Sequence, residues 1–208
     1  MDNDKNINKF FGRKDIKIKN MFQANIDRKY ILNILFPTIG KYLKENSKTE
    51  ILEIGVEKYN IYDKMFFENN YINFYALDIV NKQEIIPSDW SGFYNYDLTK
   101  NIPENIISKV DIIIDYGVIG WDKVNITLSS QQIEQYIYNV HKLLNNDGFY
   151  FLKIDYRNAC TLNNDIILKI VYKFFHIAPF YDLDQKTLIQ DENIYFETFV
   201  LQKNTPIL

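Results

Sequence analysis

The sequence predicts a doubly wound α/β domain built on a mostly parallel, seven-stranded sheet, with an antiparallel hairpin at its C-terminal edge. Short, almost wholly apolar runs of strand length recur along the chain, and segments with helical spacing of apolar residues separate most of them. Strands that are apolar throughout are typical of parallel sheets covered on both faces. The last two strand-like stretches have no helix between them, which predicts that they pair antiparallel.

The predicted elements of the first half alternate between helix and strand. Apolar residues at helical spacing predict two helices, at residues 28–46 and 59–70. Four apolar runs predict strands, at residues 49–55, 72–79, 92–97 and 110–115. The alternation predicts that these strands lie parallel in one sheet.

The second half begins with a helix whose start is marked in the sequence. Ser129 lies three residues before Gln132, the spacing of a capping box, and Gly148 is predicted to end the helix. His141 lies off the apolar stripe of this helix, so we expect it to face solvent. The remaining predicted elements are a strand, a helix and two closing strands, at residues 149–155, 162–175, 176–183 and 194–202.

Composition and charge limit the classes of function. The chain has 208 residues, 47% of them hydrophobic, which suits one folded domain. Residues 1–29 hold eight basic and four acidic residues, and the remainder holds sixteen and twenty-three. We therefore expect a basic arm or lid over residues 1–28 and one domain over residues 29–208. The acidic charge of that domain argues against a broad nucleic-acid interface.

Cysteine usage and hydropathy indicate where the protein works. Cys160 is the only cysteine, so neither a disulfide nor a thiolate metal site can form within one chain. No apolar run is long enough to cross a bilayer, and the N-terminus lacks the apolar centre of a signal peptide. We expect a cytoplasmic protein with no membrane partner, and the sequence carries no signal for an oligomeric state.

Five strand-end residues define the predicted site, because ligands of open parallel sheets bind beyond the carboxyl ends of the strands. They are Gly55, Asp78, Asp97, Asp115 and Asp155. An aspartate at a strand end is commonly a turn former or a helix cap. Four aspartates on one edge favour a single acidic crevice instead.

The first of these residues predict a nucleoside site. Gly55 permits a tight turn after the first strand, and Asp78, 23 residues later, can accept hydrogen bonds from both ribose hydroxyls. A dinucleotide site needs further glycines so that the backbone can approach the pyrophosphate, but Glu57 and Asn60 occupy those positions. S-adenosylmethionine has no phosphate, so the sequence favours it over NAD.

From about residue 30 to its end, the chain resembles class I S-adenosylmethionine-dependent methyltransferases. The resemblance rests on five short motifs in the family's order. They are LEIG at 52–55, ALD at 76–78, YDL at 96–98, DIIID at 111–115 and LLNNDGFYFL at 143–152. The loop after the first strand departs from the family, since it holds one glycine where two or three are usual.

The resemblance implies a role for each residue of the cofactor site. Gly55 would admit the methionine part of S-adenosylmethionine, and Glu53 would support its amino group. Asp78 would hold the ribose hydroxyls. Asp97 would accept from the adenine amine, with Leu98 beside it.

Two aspartates are the predicted catalytic residues. The resemblance implies that Asp115 faces the methyl group and its acceptor, and Asp155 ends the neighbouring strand. In metal-dependent catechol and sugar O-methyltransferases, which look similar here, acids at these positions bind a cation. Two versions stay open. In the first, both aspartates hold Mg²⁺ with Asn158 as a third ligand, although Tyr156 stands where the family often has Asp or Asn. In the second, Asp115 acts alone as the base or orients the acceptor.

The acceptor is the least determined part of the prediction. The acidic crevice favours O-methylation of a small polyhydroxy molecule such as a sugar. An RNA cap-type methyltransferase is the enzymatic alternative, although DYGV follows the fourth strand where an Asn/Asp-Pro-Pro-aromatic motif is expected for amino methylation of nucleic acids. A non-catalytic cofactor-binding relative is the third alternative, because the first loop is poor in glycine.

Overall fold

A computed structural model describes most of the sheet and the helices on one of its faces. The described residues are 48–55, 72–81, 90–116, 118, 128–155, 164–179, 189–191 and 194–204. The predicted arm over 1–28, the helices over 28–46 and 59–70, and loop residues 57 and 60 lie outside the described residues.

Eight strands and two α-helices make up the described part of the chain. The strands are β1 (Thr49–Ile54), β2 (Ile72–Asp78), β3 (Gly92–Asn95), β4 (Val110–Tyr116), β5 (Leu144–Asp155), β6 (Phe175–Ile177), β7 (Ile189–Asp191) and β8 (Ile194–Lys203). The helices are α1 (Ser130–Leu143) and α2 (Asn164–Phe174), and a 3₁₀ turn covers Glu104–Ile106.

The sheet has the order β3-β2-β1-β4-β5-β8-β6, with β7 paired to β8. The pairs from β3 through to β5 are parallel, and β8 runs antiparallel to β5, β6 and β7. This confirms the predicted mostly parallel sheet with an antiparallel C-terminal edge, to which β7 adds a short strand. Strand order reverses between β1 and β4, so the carboxyl ends of these two strands open the crevice in which such folds bind ligands.

The core on the described face forms where α1 and α2 pack on the sheet. Both helices bury an apolar stripe at helical spacing, including Ile137 and Val140 of α1 and Ile167 and Val171 of α2. Each such side chain contributes about 1.5–3 kcal/mol through its removal from water. Because the stripes cover the middle of the sheet, the strand ends are left for the site.

The start of α1 agrees with its sequence signal. The Ser129 side chain accepts from the Gln132 backbone N–H at 3.3 Å, and the Ser129 N–H donates to Gln132 Oε1 at 2.9 Å. Two of the N–H groups that the first helical turn leaves without helical partners are thereby satisfied. The predicted capping box is confirmed.

The predicted end of α1 is wrong. The helix ends at Leu143, and Leu144 is already extended and pairs with Val110 of β4. Lys203 donates to the Leu144 carbonyl at 2.9 Å, which satisfies a carbonyl at the helix end without a glycine. Gly148 lies inside β5 instead, where a Cβ would come within 2.9 Å of the Asp111 carbonyl oxygen.

The environment of His141 also differs from the prediction. It is partly buried on α1, with its ring centroid 5.8 Å from that of Phe174 and 5.5 Å from that of Phe175. Burial and then the positive charge of Lys203 lower the pKa of His141 to about 4, against a hydrogen bond with the backbone of Asn204 that raises it. Solvent exposure was the wrong expectation, because α2 and β6 cover this side of α1.

Candidate active site

Three strand ends meet at one point of the carboxyl edge. Ile54, the last residue of β1, pairs with Leu77 on one side and with Asp115 on the other. The Gly55 N–H then donates to the Leu77 carbonyl at 2.9 Å. The structure therefore brings Gly55 between the ends of β2 and β4, next to Asp78 and Asp115.

Gly55 has a backbone conformation that disfavours other residues. Its φ is +77°, in the left-handed region that glycine adopts without steric cost. A Cβ at this position would lie 2.4 Å from Cγ2 of Val118, well inside van der Waals contact. The positive φ and the contact with Val118 thus both disfavour any residue with a side chain at position 55.

Asp78 ends β2 as the centre of a tight turn. Its side chain is 5% exposed, and its Oδ1 accepts from the Val80 N–H at 2.8 Å. Its carbonyl oxygen accepts from the Tyr96 N–H at 3.1 Å and from Nδ2 of Asn95 at 3.0 Å. The carboxylate is held rigidly beside Gly55, and its role as the ribose acceptor stays a prediction.

Asp97 is held in the same local manner. Its Oδ1 accepts from the backbone N–H and the hydroxyl of Thr99, and its Oδ2 lies 2.8 Å from Nζ of Lys100. Burial raises the pKa of Asp97, but the hydrogen bonds from Lys100 and Thr99 outweigh it and hold the pKa below its usual value. The turn-forming alternative describes these contacts, and adenine recognition stays a prediction.

Leu98 belongs to the core rather than to the surface of the crevice. It is 3% exposed and packs in the same cluster as Leu77 and Ile133. Its carbonyl accepts from Nδ2 of Asn139 on α1 at 2.8 Å. This buried amide bonds the turn after β3 to the helix.

Asp115 is the most enclosed of the predicted site residues whose side chains the structure describes. It is fully buried, and its Oδ2 accepts from the hydroxyls of Tyr136 at 2.6 Å and Tyr150 at 2.7 Å. Its Oδ1 accepts from the Val118 N–H at 3.0 Å. Burial raises the pKa of Tyr136 well above its usual value, and the negative charges of Asp115 and Asp78 add to this, so the hydroxyl remains a donor.

Glu53 and Asp155 lie apart from Asp115. Glu53 is 3% exposed and pairs with Ile114, whereas its neighbour Ile54 pairs with Asp115, so the two acids occupy opposite faces of the sheet. Asp115 pairs with Leu152, which puts Asp155 three residues, or about 10 Å, further along β5. Asp115 and Asp155, the two predicted catalytic residues, are therefore not neighbours across the β4–β5 pair.

Sequence reasoning did not single out five residues that form hydrogen bonds to Asp78, Leu98 or Asp115. They are Asn95, Val118, Tyr136, Asn139 and Tyr150. Four of them bond to partners that are 15 or more residues away in sequence. The fifth, Val118, lies three residues after Asp115, outside any helix or strand. The one available signal was a polar or hydroxyl-bearing residue inside a stripe that is otherwise apolar, as Tyr136 and Asn139 are on α1.

Metal-ligating side chains do not cluster in the part of the chain that the structure describes. Within those residues, no group of three or more His, Cys, Asp or Glu side chains could hold a metal ion. The predicted third ligand, Asn158, and its neighbour Tyr156 lie outside the described residues.

Comparison with solved structures identifies the fold. A TehB-like SAM-dependent methyltransferase from Corynebacterium glutamicum superposes with a TM-score of 0.55 at 16% identity, covering 88% of this chain and 96% of that one. A 1,6-didemethyltoxoflavin-N1-methyltransferase from Burkholderia thailandensis, with bound S-adenosylhomocysteine, gives a TM-score of 0.52 at 12% identity, covering 92% and 94%. Both similarities extend over nearly the whole of each chain.

Neighbours of this fold differ in the acceptors that their names state. A 16S rRNA (adenine(1408)-N(1))-methyltransferase from Catenulisporales acidiphilia has a TM-score of 0.54 at 7% identity and covers 83% of this chain and 93% of its own. No protein-family model and no curated protein sequence matches the chain. The chain has the class I fold of S-adenosylmethionine-dependent methyltransferases.

Proposed function

We propose that the protein is an S-adenosylmethionine-dependent methyltransferase. The observation that carries this is left-handed Gly55 at the point where the strand order reverses, with its N–H bonded to the carbonyl of Leu77, the residue before buried Asp78. A bare backbone next to a fixed carboxylate suits the methionine part and the ribose diol of the cofactor. Acids on both sides of this point also suit a sulfonium cation better than a pyrophosphate, which they would repel.

The chain's contribution to the reaction is mainly to position two reactants. When bound, S-adenosylmethionine would supply a methyl group to the acceptor oxygen, with the carbon–sulfur electron pair staying on sulfur and the acceptor proton passing to water. Gly55 would admit the cofactor, Asp78 and Glu53 would hold its polar groups, and the turn at Asp97 and Leu98 would hold its adenine.

We further propose a small polyhydroxy acceptor, such as a sugar, methylated on oxygen. The support is electrostatic: the chain beyond residue 29 holds sixteen basic and twenty-three acidic residues, which repels the phosphates of RNA. Among the described helices, none is long and apolar enough to cross a membrane. A cytoplasmic location is part of the proposal, since a single cysteine offers no disulfide within the chain.

We propose that the transfer does not depend on Mg²⁺. Asp115, a strand-end acid next to Gly55, already accepts three hydrogen bonds from the protein. A carboxylate has about four lone-pair sites, so the acceptor capacity that remains for a cation is small.

Ligand-binding measurements test the proposal. A ligand that binds the folded state raises the melting temperature, so S-adenosylmethionine and S-adenosylhomocysteine should stabilise the protein and NAD should not. Tight NAD binding, or no response to either S-adenosyl compound, contradicts it. Transfer of a labelled methyl group to a panel of polyhydroxy compounds, with total RNA as the parallel substrate, then distinguishes the acceptors. Binding without transfer to any acceptor indicates the non-catalytic alternative.

A further inference from the structure

We infer that Tyr136 and Tyr150 are positioning residues of the cofactor crevice, which they shape through Asp115 and Val118. This inference rests on the proposed function. Neither tyrosine lies at the edge itself, and neither touches Gly55. Their effect passes through a chain of three contacts, each of which is defined by named atoms.

The first contact is a buried clamp on the Asp115 carboxylate. Tyr136 is 3% exposed on α1, and Tyr150 is fully buried on β5, with its ring centroid 5.3 Å from that of Phe175. Both hydroxyls donate to the same oxygen, Oδ2 of Asp115. Because these donors come from two packed elements, they fix the orientation of the carboxylate as well as its position.

The second contact carries that orientation to the loop after β4. The other oxygen, Oδ1 of Asp115, accepts from the Val118 N–H at 3.0 Å. A carboxylate is planar, so rotation of Oδ2 away from the tyrosines also moves Oδ1 away from this N–H. The clamp therefore determines where the backbone of Val118 lies.

The third contact is between Val118 and Gly55. A Cβ added to Gly55 would lie only 2.4 Å from Cγ2 of Val118. The valine side chain thus packs directly on the bare backbone at the end of β1. A displaced Val118 alters the surface against which the methionine part of the cofactor would lie.

Burial determines how Asp115 contributes to the reaction. Asp115 has no exposed surface, so in this arrangement it does not touch a ligand directly. A base that removes the acceptor proton must come within hydrogen-bond distance of that proton. The geometry points to Asp115 as a positioning residue at the centre of the clamp.

Conservative variants that remove single hydroxyls test the clamp. Tyr136→Phe and Tyr150→Phe keep the ring and remove one donor each. Tyr75→Phe is the matched control, because its hydroxyl bonds to Glu50 near the amino end of β1, away from the crevice. The measurements are the dissociation constant of S-adenosylhomocysteine, by calorimetry, and the amide exchange rate of Val118, by NMR.

We expect each clamp variant to weaken S-adenosylhomocysteine binding about fivefold and to speed exchange at Val118, as for the loss of one hydrogen bond. The control removes a hydroxyl that is only partly buried, and it should leave both readouts unchanged. Clamp variants that bind and exchange like the wild type overturn the inference alone. An equal loss of affinity in the control overturns it as well, because the effect is then general destabilisation. A wild-type protein that binds no S-adenosyl compound overturns the proposed function together with the inference.

Discussion

The two sides of the carboxyl edge hold their aspartates in different ways. On the β2–β3 side, Asp78 and Asp97 accept from backbone N–H groups only two residues further along the chain. On the β4–β5 side, Asp115 accepts from hydroxyls that are 21 and 35 residues away in sequence. The carboxylates of Asp78 and Asp97 are therefore held by local turns, whereas the carboxylate of Asp115 is held by buried side chains of the core.

The largest effect that this comparison predicts is on stability. Asp115→Ala leaves two buried hydroxyls and one N–H without their acceptor, so we expect a loss of roughly 3–5 kcal/mol in the free energy of unfolding. Asp97→Ala removes only a local turn and an exposed ion pair, so about 1 kcal/mol is expected. Urea unfolding of both variants makes the measurement, and equal losses would remove the distinction between the two sides.

The next effect concerns the two constraints on Gly55. Gly55→Ala should cost about 1–2 kcal/mol for the left-handed backbone and about 1–3 kcal/mol for the contact with Val118. In the double variant Gly55→Ala/Val118→Ala, the stability lost to the contact with Val118 should be recovered, whereas the stability lost to the left-handed backbone should not. Thermal unfolding of the single and double variants separates the two costs. A double variant no more stable than Gly55→Ala contradicts the steric role of Val118 against Gly55.

A comparable effect is expected on cofactor affinity. Asp78→Ala should lose roughly 1.5–3 kcal/mol of binding free energy for S-adenosylhomocysteine, as for a hydrogen bond to a charged group. Exposed Asp147, within the first residues of β5, provides the control Asp147→Ala. Calorimetry on folded protein decides the matter, and unchanged affinity in Asp78→Ala removes this residue from the cofactor site.

Much of the fold was predictable because its signals are local. Apolar runs such as VDIIID identify buried strands, and the spacing of Ser129 and Gln132 identifies the start of α1. The end of α1 was not predictable, because it is determined by Lys203, which lies 59 residues beyond the carbonyl it caps. Gly148 suggested a helix end, but it serves close packing within β5.

In the candidate site, too, features with local signals were predictable and features that depend on long-range contacts were not. Strand-end position alone indicated Gly55, Asp78 and Asp97, and the structure places Gly55 and Asp78 side by side. The burial of Asp115 could not be foreseen, since it depends on which face of β4 receives α1 and on the register between β4 and β5. A shift of one residue in that register would have turned the carboxylate to the opposite face.

A smaller effect should distinguish two partly buried titrating groups, His141 and Asp97, by the pH range in which each changes stability. The pKa of His141 is lowered from 6.5 to about 4, so the unfolded state binds more protons between these values and stability falls as pH drops from about 6.5 through about 4. The lowered pKa of Asp97 acts in a separate window, where stability falls as pH drops below 3.8. Urea midpoints between pH 7 and 4.5 should lose their slope in His141→Gln. The control is His176→Gln, whose exposed histidine contacts Asn204, and a slope that persists in His141→Gln contradicts the assignment.

The smallest expected effect is that of a metal chelator, which should be none. Mg²⁺ requires nearly octahedral oxygen ligands, and Asp115, which is buried and already accepts three hydrogen bonds, has little acceptor capacity left for one. EDTA should therefore leave methyl transfer unchanged, and calorimetric titration with Mg²⁺ alone should show no binding. Inhibition by EDTA that added Mg²⁺ reverses would mean that the clamp opens in the working enzyme. Tyr136→Phe would then be expected to bind Mg²⁺ more tightly than the wild type, because it removes one of the donors that compete with the cation for the carboxylate.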